Sequence, residues 1–260
     1  MVIKWMKRIK WMRLSKYFLV ITMSLSLVFC GFTVYGARVG NFNIYLHGDD
    51  VQLAIYMEED MSDLGTHLSV PVLDEMDNTT FEDIATRNIR SKIMTGLGPK
   101  NDEDHRQYLA FSFVLVNFSE GMVNYDLELT VISTREGMGG GKVEAAMRVL
   151  IIKEWDYQLG STYEALTKDE EQDAFYRSGS FYALAEKSDE DRAVLAENTY
   201  YTTQDFISEV QLLRQEEYDF EPLAQVKYTV VIWLEGWDND CVNSIYGGRI
   251  KMRLDIVGRL

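Results

Sequence analysis

A run of nineteen uncharged residues behind a cationic start divides this chain into two parts. Residues 1–16 carry six cations and no carboxylate, and residues 17–35 carry no charge. Small residues follow, with Gly36 and Ala37 at the position of a signal-peptidase cut. This pattern is typical of an export signal, whose cations stay on the cytoplasmic side. We therefore expect residues 1–36 to be a signal peptide or signal anchor, with its N-terminus cytoplasmic before processing, and residues 37–260 to be an extracytoplasmic domain.

Two fates of the apolar run remain open. Nineteen residues in a helix span about 28 Å, which is close to the thickness of a bilayer core and favours a retained anchor. Ser24, Ser26 and Gly31 dilute the hydrophobicity, which favours cleavage between Gly36 and Ala37. The domain is thus expected to be membrane-anchored in the first case and secreted in the second.

The charge of the remaining domain excludes one class of partner. All 41 acidic residues lie after residue 37, together with 20 of the 26 basic ones, so residues 37–260 carry a net charge of −21. Such a surface repels phosphate backbones, and we expect no nucleic-acid partner. Cys241 is the only cysteine after the apolar run, which rules out a disulfide within the domain.

Alternation of apolar and polar residues predicts seven strands, at 39–46, 51–57, 108–117, 122–133, 147–152, 226–235 and 249–257. The short link around Gly48 predicts a hairpin between the first two strands, and the link 118–121 predicts another. Residues 108–117 are apolar on both faces, as in a central strand that is covered on both sides.

The strand pattern favours one mainly β domain, an antiparallel β-sandwich spanning residues 37–260. Two polar regions, at about 58–107 and 154–220, are expected to be insertions in this sandwich. Helices are predicted at 168–177 and 188–198 within the second insertion.

The C-terminal stretch YTVVIWLEGWDNDC…GGRIKMRLDIV, residues 228–257, resembles the last strand pair of exported Firmicute and Mollicute-type proteins. In that group a turn of the EGxDxDC type joins two strands. Two further blocks, at 39–42 and 108–131, also resemble the group. Its layout is distantly similar to the TasA/camelysin family. That resemblance implies a jelly-roll-like β-sandwich and a role as a matrix-fibre subunit or, as in camelysin, a surface metalloprotease.

Two metal-binding candidates follow from the distribution of acidic residues. His105 lies beside the carboxylates of residues 102–104, which is a conceivable metal cluster or a solvated acidic loop. Asp238 and Asp240 could offer oxygens to calcium, although Val242 breaks an EF-hand pattern. A tight acidic turn between strands explains the same residues. The histidines lack the spacing of a zinc protease, and no cofactor is predicted.

Two other stretches have competing interpretations. Trp237, in the acidic turn, is either a platform for stacking a ligand or a lid over the end of the core. The glycine-rich stretch 137–142 has the composition of a phosphate loop, but Val143 stands where Ser or Thr should bind magnesium, and we interpret the stretch as a flexible loop.

These features together predict a non-catalytic exported cell-envelope protein that serves as a surface assembly, matrix-fibre or adhesion subunit. Its expected partners are the membrane, through the N-terminal segment, and other copies of the chain or other surface proteins. In a fibre, residues 37–43 would pair with a neighbouring subunit's sheet edge. The alternatives are a surface metallohydrolase of the camelysin type that uses His105, and a carbohydrate-binding module that uses Trp237.

Overall fold

A computed structural model describes residues 22–23, 42–48, 50–57, 64–70, 76–80, 100–101, 105–155, 179–183 and 203–260. This part of the chain is mainly β, as the alternation of apolar residues predicts. Helical structure after residue 42 is limited here to one turn, Val143–Ala146, and to a 3₁₀ turn, Asn243–Ile245.

The strands form two mixed sheets and a short ribbon. Sheet A has the order β11-β7-β13-β1-β3 and sheet B has the order β10-β9-β8-β12-β6-β2, while β4 and β5 pair with each other. The strand bounds in chain order are β1 Phe42–His47, β2 Leu53–Met57, β3 His67–Val70, β4 Lys100–Asn101, β5 His105–Arg106, β6 Tyr108–Asn117, β7 Val123–Arg135, β8 Met147–Trp155, β9 Gly179–Ala183, β10 Thr203–Asp205, β11 Gln211–Phe220, β12 Gln225–Leu234 and β13 Arg249–Arg259.

Parallel pairing distinguishes both sheets from the purely antiparallel arrangement that we expected. Strand β1 runs parallel to β13, with Asn43 opposite Arg253, and antiparallel to the edge strand β3. Strand β10 runs parallel to β9 in sheet B. The expectation of an antiparallel fold is therefore wrong at these two pairs.

The predicted hairpins are also wrong. Strand β1 belongs to sheet A and β2 to sheet B, and the same separation holds for β6 and β7. The C-terminal strands β12 and β13, which the resemblance treats as a pair, likewise lie in different sheets. A link of five residues is long enough to cross the roughly 10 Å between packed sheets, so a short link does not by itself select a hairpin.

One hydrophobic core receives side chains from both sheets. On β1 the buried apolar side chains are Phe42 and Ile44, and the Phe42 ring lies 4.8 Å from the ring of Phe111 on β6. All ten residues of β6 are buried, which confirms the prediction of a central strand covered on both faces. Because the long strands of both sheets bury apolar side chains in this core, removal of these side chains from water is the main force that holds the two sheets together.

The two regions expected as insertions contribute strands to the sheets. Residues 58–107 include β3, which forms one edge of sheet A, and the ribbon β4–β5. Residues 154–220 include β9, β10 and β11. The predicted helices at 168–177 and 188–198 lie outside the described residues, as does the apolar run 17–35 except for residues 22–23. Within the described residues, we find no helix of the length and hydrophobicity needed to cross a bilayer.

A buried tyrosine pair joins the two sheets and should make stability fall at high pH. The hydroxyls of Tyr125 and Tyr228 are 2.7 Å apart. Burial raises the pKa of both phenols above the ordinary value. The folded phenols therefore keep their protons above about pH 10, where the unfolded phenols lose theirs. The free energy of unfolding should be unaffected by this pair below about pH 10 and should decrease as the pH rises further.

Urea titrations at about pH 8 and about pH 11 would measure this effect. We expect the decrease to be smaller in the double variant Tyr125→Phe/Tyr228→Phe than in the wild type. Tyr246→Phe, at an exposed position, is the matched control. Equal decreases in the wild type and in the double variant would contradict the assignment.

Candidate functional site

A buried ion pair lies where the acidic turn meets sheet B. Asp238, in the connection between β12 and β13, accepts a hydrogen bond from the Arg148 guanidinium of β8 at 2.8 Å. The Arg148 side chain is only 4% exposed, and the Asp238 side chain is 0% exposed. Asp238 also accepts the backbone N–H of Asp240 at 2.8 Å. One carboxylate thus closes the turn and neutralises a buried cation.

A second set of contacts fixes the end of β12 beside this ion pair. The Trp233 indole N–H donates to the Glu235 carboxylate at 3.0 Å, and both side chains are buried. The backbone of Thr79 bridges the same strand end, since its N–H donates to Leu234 and its carbonyl accepts from Gly236. These contacts hold the start of the acidic turn in one position.

The calcium hypothesis for Asp238 and Asp240 is weakened by this geometry, because the oxygens of Asp238 are occupied by Arg148 and by the turn. The contacts favour the alternative, a tight acidic turn. Across the part of the chain that is described, no three His, Cys, Asp or Glu side chains are grouped to hold a metal ion. For His105 only the backbone is described, in β5, and its acidic neighbours 102–104 lie outside the described residues.

The other candidates in this connection differ in exposure. Trp237 is 41% exposed, so its ring is accessible to solvent. The Cys241 thiol accepts a long hydrogen bond of 3.6 Å from the Asn78 side chain. Partial burial raises the pKa of Cys241 and keeps the thiol protonated, which lowers its reactivity.

The glycine-rich stretch is held in place, in contrast to the flexible loop that we expected. The N–H groups of Gly139 and Gly141 both donate to the carbonyl of Ser244. A Cβ atom at Gly137 would come within 2.2 Å of the same carbonyl oxygen. Glycine is needed here because the two backbones touch, and no phosphate is required to explain it.

A polar and aromatic cluster lies on the face of sheet A that points away from the core. We call it the Tyr45 face. It consists of side chains from the adjacent strands β1, β3 and β13, namely Asn43, Tyr45, His47, His67, Arg253 and Asp255. His47 and His67 show no common motif in the sequence, but the antiparallel pairing of β1 with β3 places Tyr45 directly opposite His67.

Contacts within the Tyr45 face hold its side chains in position. His47 lies 2.9 Å from Asp255, whose other oxygen accepts a 2.7 Å hydrogen bond from Arg253. The Arg253 guanidinium also stands 5.9 Å from the centre of the Tyr45 ring, within the range of a cation–π contact. The rings of Tyr45 and His67 are 4.8 Å apart.

Further along the same face, Asp126 on β7 receives two arginines. Arg214 of β11 donates to one of its oxygens at 2.8 Å, and Arg259 of β13 donates to the other at 2.5 Å. Asp126 is 3% exposed, whereas the arginine side chains are about two-fifths exposed. This cluster ties three strands together by side chains.

The Tyr45 face has the groups needed to bind a polar partner surface, because it presents aromatic, cationic and anionic side chains on an accessible face of the sheet. His47 and Arg253 keep 54% and 43% of their side-chain surface exposed. Its alternating strand positions were visible in the sequence, but the grouping depends on β1 lying between β13 and β3. Without that order, the residues could not be assigned to one site.

Comparison with known proteins leaves the family open. No family model matches the chain, and no curated protein matches it significantly.

Proposed function

We propose that this chain is a non-catalytic exported cell-envelope protein and that its two sheets form a jelly-roll-like β-sandwich used in surface assembly. The export pattern of residues 1–36, the charge of −21 on residues 37–260 and the resemblance to exported envelope proteins support the proposal. The proposal also includes helical insertions in the sandwich and an N-terminal signal or anchor helix. Assembly means contact with other copies of the chain or with other surface proteins.

The observation that carries the proposal is the Tyr45 face. Tyrosine and arginine are enriched among the residues that contribute most to protein–protein interfaces. Here Arg253 is already held by Asp255 and Tyr45, so its ordering costs less entropy on binding. A preorganised, open sheet surface of this kind suits recognition of another protein surface.

The strand that carries Tyr45 is also the first described strand after residues 1–36. We expected residues 37–43 to pair with a neighbouring subunit, but Phe42 and Asn43 pair with Val70 and Ser69 of their own chain. Only residues 37–41, outside the described residues, are left for such pairing. Assembly through the Tyr45 face requires no exchange of β1.

Each of the two alternative functions depends mainly on a single candidate residue. The metallohydrolase hypothesis depends on His105 and its neighbouring carboxylates, and for His105 only the backbone is described. The carbohydrate-binding hypothesis depends on Trp237, which is partly exposed. Within the described residues, no further observation favours either of these functions over assembly.

Sedimentation velocity of the full chain in detergent micelles tests the proposal. We expect the wild-type chain to form larger species as its concentration rises. The double variant Tyr45→Ala/Arg253→Ala should associate at least about tenfold more weakly, because truncation of a residue that dominates an interface costs about 2 kcal/mol or more.

A matched pair of exposed residues serves as the control. Tyr218 is 58% exposed on β11, and Arg135 is exposed at the end of β7. Tyr218→Ala/Arg135→Ala removes the same side-chain types and should associate like the wild type. A wild-type chain that stays monomeric at every concentration, or equal weakening in both double variants, would refute assembly through this face.

A further inference from the structure

The strands of sheet A are electrically neutral, although residues 37–260 are strongly acidic. Strands β1, β3, β7, β11 and β13 together carry six lysines and arginines and six carboxylates. The net charge of −21 therefore lies entirely on the other residues of that range. At physiological ionic strength the Debye length is about 8 Å, so the charges at a contact decide whether two acidic copies can touch. Sheet A is thus a surface that another acidic copy can approach without net repulsion.

The outer face of sheet A, which points away from the core and includes the Tyr45 face, presents mainly cationic groups. Three arginine side chains on it are 38–43% exposed, namely Arg214, Arg253 and Arg259. Their closest partners, Asp126 and Asp255, are buried. Two further carboxylates contact Arg214 and are shallower, Glu128 at 25% and Glu216 at 46% exposed. A partner that approaches this face meets guanidinium groups before it meets Asp126 or Asp255, so an anionic partner surface suits it.

One end of the two sheets is acidic and displays apolar side chains. We call it the acidic end. It comprises residues 48–52, 118–122 and 221–224, which connect β1 to β2, β6 to β7 and β11 to β12. These connections contain four carboxylates and no lysine or arginine. Large apolar side chains on them are 45–73% exposed, namely Phe118, Met122 and Leu223.

The strand ends beside these connections do not offset their charge. Asp219, exposed near the end of β11, adds a further carboxylate. Arg259, near the end of β13, is paired with Asp126 on the outer face. Two lysines near this end are also paired with carboxylates, Lys153 with Glu217 and Lys227 with Glu154. The acidic end therefore keeps a net negative charge.

A buried asparagine holds the connections of the acidic end together. The Asn117 side-chain amide donates to the Phe220 carbonyl at 2.8 Å, and the Asn117 carbonyl accepts the Leu223 N–H at 2.7 Å. Residues 48–52 are joined through Gln52, whose carbonyl accepts the Phe118 N–H at 2.7 Å. The exposed apolar side chains are thus displayed on a fixed backbone, which lowers the entropy that binding costs.

We infer that copies of the chain join head to tail, with the acidic end of one copy seated on the outer face of sheet A of the next. The carboxylates of the end complement the arginines of the face, and Phe118 and Leu223 supply apolar contact for Tyr45. Two outer faces in contact with each other would instead oppose arginine to arginine. The inference rests on the proposed function and names its partner, which is a second copy. Because the two surfaces differ, each contact leaves a face and an end free, and assembly gives open chains.

A charge reversal at the acidic end tests the inference by sedimentation velocity of the full chain in detergent micelles. Glu120→Lys/Glu221→Lys should associate at least about tenfold more weakly than the wild type, because it opposes like charges across the contact. Glu136→Lys/Glu209→Lys is the matched control, since it reverses two exposed carboxylates outside the acidic end. Both variants lower the net negative charge by the same amount, so a general loss of repulsion would strengthen association in both. We expect no weakening in the control.

Mixing two variants tests the head-to-tail contact most directly. Tyr45→Ala/Arg253→Ala has a defective face and an intact acidic end, whereas Glu120→Lys/Glu221→Lys has an intact face and a defective end. Each variant alone should stay largely monomeric. With a fluorescent label on one of them, the mixture should form one-to-one complexes with about the affinity of the wild-type contact. Such complexes would also show that both variants are folded.

The outcomes separate the inference from the proposed function. A wild-type chain that stays monomeric at every concentration would overturn both. Weakened association in the face variant, with wild-type association in the acidic-end variant, would keep assembly through the Tyr45 face and overturn the head-to-tail contact alone. The contact would also be overturned by a mixture that forms no complex although both variants have the circular dichroism of the wild type.

Discussion

Breaking the buried ion pair at the acidic turn should cost about 3–5 kcal/mol of the free energy of unfolding. Arg148→Met leaves the Asp238 carboxylate buried without its cation, and Asp238→Asn leaves the guanidinium without its anion. Either change removes one charge of the pair at a site where both side chains are almost fully removed from water. Urea unfolding monitored by circular dichroism measures the loss.

The double variant Arg148→Met/Asp238→Asn measures how much of each loss comes from the interaction between the two side chains. It removes both charges and keeps an amide oxygen at position 238 to accept the Asp240 N–H. Its loss should be clearly smaller than the sum of the two single losses, because the second substitution removes the charge that the first one strands. Lys142→Met, in the exposed pair with Glu209, is the control and should leave stability nearly unchanged. Additive losses would show that the two side chains act separately.

Shortening a buried side chain on β1 should lower the free energy of unfolding by a comparable amount. Ile44 is fully buried on β1, between the C-terminal strand and β3. Ile44→Ala should lower the free energy of unfolding by about 2–5 kcal/mol, since the cavity it leaves is lined by a packed core. The same urea titration measures this change.

An exposed isoleucine provides the matched control for Ile44. Ile132 on β7 is 45% exposed, so Ile132→Ala removes the same atoms from a position in contact with water. Its effect should stay within about 0.5 kcal/mol. If Ile44→Ala were equally mild, β1 would not be packed in the core of its own chain.

Sequence alternation predicted the strands much better than their partners. The apolar positions of β1, Phe42 and Ile44, do face the core, because a period of two decides which face of a strand is buried. That period contains no information about which strand lies alongside. The links after β1 and β6 were short enough for hairpins, yet each crosses to the other sheet.

Strand β11 shows why one sheet member was missed. Its buried residues include Leu213 and Phe220, but arginine and glutamate interrupt the pattern between them, and the pairing with β7 contains a register shift. Charges suit an edge strand, since they discourage pairing with other chains. The same charges hide the strand from a search for alternation.

The sequence predicted the candidate sites to different degrees. Asp238 and Asp240 were correctly placed in one turn, but Arg148 was missed. A single charge in the apolar strand MRVLII was a usable signal, because a buried cation needs a partner. The Tyr45 face left no comparable signal, because β1 and β13 lie more than 200 residues apart in the sequence.

The fold of sheet A and the Tyr45 face both depend on β1 lying beside β13 of its own chain. A disulfide between Asn43→Cys and Arg253→Cys, in a Cys30→Ser/Cys241→Ser background, tests this directly, because paired strand positions lie within disulfide range. Asn43→Cys/Ala54→Cys, on the strand that a hairpin would bring alongside, is the control. We predict that mild oxidation gives an intramolecular disulfide for the first pair and free thiols for the second. A disulfide that links tagged to untagged chains, or one that forms only in the control pair, would contradict this position of β1.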